Sequence, residues 1–83
     1  MDDKSQHVLR RFPDKCELIR LLMSKNPDFF TICEDYGDCI NALHHWRQSS
    51  EPEVEDRVNE YQSLVDDLEK EIVEVLAAAD IIT

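Results

Sequence analysis

Glycine and proline, the residues that punctuate turns, are scarce: one Gly and three Pro in 83 residues. That scarcity argues against the tight hairpins of an all-β domain and against any glycine-rich phosphate loop. Long apolar runs are missing too, and nothing approaches the roughly 20 consecutive apolar residues of a membrane-spanning helix. Cysteine occurs three times, an odd count with no C-x2-C pair, so neither a disulfide framework nor zinc-ribbon spacing is present. Cations are few in the last third, where residues 51–83 hold two Lys/Arg against eleven Asp/Glu. Such a surface repels phosphate backbones and anionic lipid, which disfavours general nucleic-acid or membrane binding.

What remains is a short, charged chain built for helices. Its length allows one domain, residues 1–83, with a modest core. The net charge of −10 is uneven, because residues 1–25 carry six Lys/Arg against four Asp/Glu while residues 26–50 carry one against four. The acidic end suits a basic protein partner or the chain's own basic beginning, and acidic helix faces also keep a small protein in solution. Met1-Asp2-Asp3 opens polar with no apolar stretch behind it, so a cytoplasmic setting with reduced thiols is expected.

The apolar pattern defines the elements. Residues 1–11 are polar and read as a frayed arm. Phe12, Cys16, Ile19 and Met23 recur at four, three and four, which predicts a first helix over 12–25 entered through Pro13. Asn26-Pro27 interrupts it, with Asn26 placed to cap a second helix over 27–48. Phe29, Ile32, Tyr36, Cys39, Leu43 and Trp46 form that helix's main stripe, with Phe30, Cys33 and Ile40 beside it. Gly37 in its middle marks a kink, a close approach by another helix, or neither. After a turn in which Ser50 and Glu53 fit a capping box, residues 51–79 carry an unbroken heptad. Val54, Val58, Tyr61, Val65, Leu68, Ile72, Val75 and Ala79 lay one apolar seam along this third helix.

Two long helices joined by so short a turn must lie antiparallel, which makes the chain all-α: a short N-terminal helix followed by a long antiparallel helical hairpin. Trp46 then belongs near the turn, with Tyr36 and Tyr61 midway. An apolar flank at Leu64, Leu76 and Phe30 predicts a homodimer, two hairpins forming a dimeric helical bundle. Whether the first helix covers its own hairpin or a neighbour's stays open.

Phe12-Pro13, Leu18-Ile19, Leu22, Asn26-Pro27 and Phe29 together form F-P-x4-L-I-x2-L-x3-N-P-x-F. This resembles the N-terminal signature of the YdcH-like proteins, small bacterial helical chains of unknown function. Leu68-Glu69-Lys70-Glu71-Ile72 with Leu76 is similar to that family's last helix. The likeness spans most of residues 12–77 and implies a helical hairpin in a bacterial cytoplasm, with no active site to carry over. The acidic last helix departs from the family's Lys-rich one, and Cys33, Cys39 and Trp46 stand where ordinary apolar residues are expected.

Chemistry-bearing residues are few. Cys16, Cys33, Cys39, His7, His44 and His45 are the metal candidates. Cys33 and Cys39 are six apart, about 240° around a helix, and so diverge. His44 and His45 are adjacent and chelate poorly from one helix. No metal or cofactor is therefore expected. Cys16, with Lys15 beside it and Arg20 a turn later, is the best redox candidate, because Cys33 and Cys39 have carboxylate neighbours that disfavour thiolate. A chain this thin offers little cleft, so an enzyme is not expected. Trp46 and Arg47, next to His44 and His45, read either as cover for the hairpin end or as a partner anchor.

The expected function is a non-enzymatic protein–protein interaction or regulatory adaptor. It acts through helix packing and an acidic surface made of Glu53, Glu60, Asp67, Glu71 and Glu74. The alternative classes are a nucleic-acid role through Lys4, Arg10, Arg11, Lys15, Arg20 and Lys25, and thiol or metal sensing.

Overall fold

Apolar residues every three to four positions, with few turn formers between them, fold as helices packed side by side, and the computed structural model is all-α. It describes the backbone of residues 4–82 and the side chains of residues 6–79. The helices are α1 (Lys4–Arg11), α2 (Cys16–Lys25), α3 (Pro27–Arg47) and α4 (Val54–Ile82), with a 3-10 turn over Pro13–Lys15. No strand occurs among the described residues.

The central element is α3, which packs against α4 most extensively, then against α1, then α2. The hairpin is antiparallel: Arg47 near the end of α3 reaches Gln62, while Tyr36 further back reaches Glu69. α1 also runs antiparallel to α3, because His7 meets Asn41 while Arg11 meets Glu69 beside Tyr36. The molecule measures 48 × 25 × 21 Å. Its long axis is set by the 29 residues of α4, about 44 Å at 1.5 Å each.

The punctuation residues act locally. The Asn26 side chain accepts from the N–H groups of Asp28 at 3.1 Å and Phe29 at 3.2 Å, satisfying donors that helix geometry leaves open. Pro13 separates α1 from α2: Phe12 leaves helical geometry at φ −126°, ψ 66°, and the Lys15 N–H bonds the Phe12 carbonyl at 3.0 Å. The expected helix over 12–25 is therefore a 3-10 turn followed by α2. The expected capping box does not form at a helix start, since α4 begins at Val54 and it is Ser49 Oγ that accepts from the Glu51 N–H, at 3.2 Å. At the other end the backbone of α4 runs past Ala79 to Ile82.

One core runs the length of the molecule, through Val8, Ile19, Phe29, Cys33, Tyr36, Leu43, Val65, Ile72 and Leu76. It departs from the expected stripes in two places. Leu76, expected on an open flank, is 5 % exposed, while Val75 is only half-buried. A strict heptad drifts about 20° per repeat around a straight helix, so by the fourth repeat the next residue faces the core. On α3, Cys33 is fully buried and Cys39 half-buried, the reverse of the expected ranking. The cause is the second cover: with α1 and α2 on one flank and α4 on the other, the centre of α3's buried arc moves toward Phe29, Cys33, Tyr36 and Gly37.

Residues 1–3 of the expected frayed arm lie outside the described residues, and the rest of it is α1, Lys4–Arg11, on which Val8 has no exposed surface. Gly37 explains how α1 fits. It is buried one turn before Asn41, which bonds His7, and next to Tyr36, whose partner Glu69 bonds Arg11. α1 therefore packs on α3 beside the buried glycine, which has no Cβ to fill space there, and α3 continues through it without interruption. Gly37→Leu is expected to destabilise the protein by about 1–3 kcal/mol through overpacking, outweighing the gain of roughly 1 kcal/mol in helix propensity. Denaturant unfolding checks this, and a Gly37→Leu protein more stable than the parent would show that nothing presses on this position.

Candidate functional site

The acidic face begins with spacing. Glu53, Glu60, Asp67 and Glu74 recur every seven residues, and Glu71 lies one turn beyond Asp67. At 100° per residue Glu60, Asp67, Glu71 and Glu74 fall within about 60° of one another, across the helix from the buried seam. All five are exposed. They do not form one compact patch but a stripe along α4, with Glu53 in the turn just before the helix. Asp67 and Glu71 join Asp35 and Asp38 of α3 around a shallow groove of about 370 Å³ also lined by Leu64, Leu68 and Cys39. Glu74 lies at a different hollow, with Asp66, Glu69, Lys70 and Val73. Arg57 and Lys70 are the only cations on α4. Arg57 meets Glu60 at 3.5 Å in an exposed pair, which contributes little to stability.

Trp46 and Arg47 turn inward to the hairpin. The Trp46 ring is half-buried, with the His45 ring edge-on at 5.7 Å and the Arg57 guanidinium 5.9 Å from its centre. Arg47 Nη2 donates to Gln62 Oε1 at 3.0 Å. Both side chains thus join the last turn of α3 to the first turns of α4, at the end expected for Trp46.

At mid-molecule lies a polar knot that spacing along the sequence does not display. The buried Tyr36 hydroxyl donates to Glu69 Oε2 at 2.7 Å, and Arg11 Nε donates to the same oxygen at 3.1 Å. The Arg11 guanidinium also sits 5.2 Å from the centre of the Phe12 ring. One carboxylate oxygen therefore ties α1, α3 and α4 together. Burial, and then the bond to Glu69, push the Tyr36 phenol above its ordinary range. The signal for this knot was Tyr36 placed midway along the hairpin, since a tyrosine in a core needs a partner for its hydroxyl.

The three thiols are free. Burial raises the Cys33 thiol to about 11, and Cys39 is raised by burial and then by the Asp35 and Asp38 carboxylates. Cys16 Sγ points at the Leu9 carbonyl, 3.6 Å away. Among the described residues, no three His, Cys, Asp or Glu side chains are placed to hold one metal ion. Of the N-terminal cations, Arg11 is engaged by Glu69, Arg10 Nη2 donates to Gln6 Oε1 at 3.5 Å, and the Lys4 side chain lies outside the described residues. Arg20 and Lys25 are exposed.

Set against known proteins, the chain matches no family model, no curated protein and no solved structure. No helix among the described residues is long and apolar enough to cross a membrane.

Proposed function

We propose that this protein is a non-enzymatic interaction or regulatory adaptor that binds a basic protein partner through the outward face of α4. The observation that carries the reading is the exposed carboxylate stripe of Glu53, in the turn before α4, and Glu60, Asp67, Glu71 and Glu74 on a helix with two cations. A field of one sign over a long, rigid rod accelerates encounter with an opposite charge and is weakened by salt. A bacterial cytoplasmic setting and kinship with the YdcH-like proteins over residues 12–77 belong to the same proposal. The two proline points behind that likeness bracket α2, and α1 lies outside it. A nucleic-acid role through the N-terminal cations has less support, because Arg11 is already bound within the fold.

The test is charge reversal. With all five positions changed to Lys, helix content is expected to stay unchanged by circular dichroism. Capture of a basic protein from bacterial lysate should fall at least about tenfold, as should capture by the parent at high salt. Equal capture by the parent and the reversed protein would rule out this face.

A further inference from the structure

We infer that the groove between α1 and α2 receives the acidic face of α4 from a second copy of this chain. Two contiguous hollows of about 470 and 320 Å³ share Leu9 and Arg20. Their apolar surface comes from Leu9, Met23 and Phe30, and the last is 37 % exposed. Arg10 and Arg20 line the same groove. Arg20 makes no ion pair with any other described residue. An apolar trough edged by guanidinium groups suits an acidic amphipathic helix laid along it.

α4 is such a helix. On α4, Leu64 is 44 % exposed, with Glu60 one turn before it and Asp67 and Glu71 in the turns after. An apolar knob between carboxylates is the counterpart of an apolar trough beside arginines. The chain's charges divide the same way, with residues 1–25 net positive and residues 51–83 strongly negative. One copy cannot make this contact with itself, because α4 is held against α3, and Leu64 with its acidic neighbours lines a groove that shares no residue with the α1–α2 hollows. The contact pairs unlike surfaces, so it differs from a bundle of two hairpins meeting through equivalent seams. This inference rests on the acidic face of α4 being a binding surface and names one of its partners.

The experiment is sedimentation of the full chain at low and high salt, with a charge swap. The parent is expected to self-associate at high micromolar concentration and to dissociate as salt rises. Arg10→Glu with Arg20→Glu in one protein, and Glu60→Arg with Asp67→Arg in another, should each weaken self-association at least about tenfold. Mixing the two should restore it, since one variant keeps an intact acidic face, the other keeps an intact basic groove, and the two altered surfaces also attract each other. All four positions are exposed, so circular dichroism should report the parent fold for each variant. A parent that stays monomeric, association that ignores the swaps, or no recovery on mixing would each overturn the inference. A monomeric parent whose five-site reversal still abolishes capture of a basic protein would leave the adaptor reading standing.

Discussion

Glu69→Leu is expected to destabilise the protein by about 2–3 kcal/mol, a large share of the roughly 4–12 kcal/mol expected for a chain of this size. The Tyr36 side chain is 2 % exposed, and its hydroxyl has Glu69 as its partner. Leucine fills the space of the lost carboxylate and keeps water out, so the hydroxyl is left buried and unbonded, at a cost of about 1–3 kcal/mol. The Arg11 pair adds less, because the Arg11 side chain is 55 % exposed and solvent screens it. Tyr36→Phe alone should cost only about 1 kcal/mol, since it removes the donor together with its need. The two changes are therefore not additive: Tyr36→Phe with Glu69→Leu should be more stable than Glu69→Leu alone. Urea unfolding of the four proteins closes the cycle. A double variant as unstable as the sum of the singles would show that the Tyr36 hydroxyl does not depend on Glu69.

Where apolar periodicity and local capping decide the structure, the sequence was readable. The hairpin, its turn near residue 50, the Asn26 cap and the position of Trp46 all rest on spacing that a single chain displays. α1 was not readable, because only Val8 and Leu9 are apolar within Lys4–Arg11, and Pro13 looks like a beginning instead of a joint. What holds α1 is tertiary: a glycine on another helix, a histidine–asparagine bond and a shared carboxylate. Gly37 carried a trace of it, since a lone mid-helix glycine is costly unless something approaches it. The same omission hid the polar knot, for without α1 Arg11 had no location and Glu69 was one acid among many. It also displaced the ranking of Cys33 and Cys39, because burial on α3 depends on how many flanks are covered. The acidic stripe itself follows from spacing, but its division between a groove lined by Leu64 and a separate hollow at Glu74 depends on where α3 lies.

The stability of the protein is expected to fall steeply above pH 9, and Cys33 gives the sign. Its thiol is fully buried and its pKa is raised from 9.0 to about 11 by desolvation. Between those values the unfolded chain releases this proton while the folded chain keeps it. The unfolded state then binds fewer protons, so the free energy of unfolding decreases as pH rises. The stability is fully present below pH 9, and the loss accumulates to about 2–3 kcal/mol by pH 11. Tyr36 acts in the same direction, beginning above its ordinary 10.0, because its phenol is buried and bonded to an acceptor. Half-buried Cys39 adds a smaller contribution of the same sign. General repulsion in an already acidic chain also grows with pH, so the comparison must be internal. Between pH 8 and 10.5 the parent should lose about 2 kcal/mol more than Cys33→Ala, whatever small cavity that substitution leaves at both pH values. A thiol-specific reagent at pH 8 should find Cys33 inert until the protein unfolds. Parallel pH profiles for the two proteins would mean that water reaches the Cys33 thiol in the folded state, which the cover of α3 on both flanks does not allow.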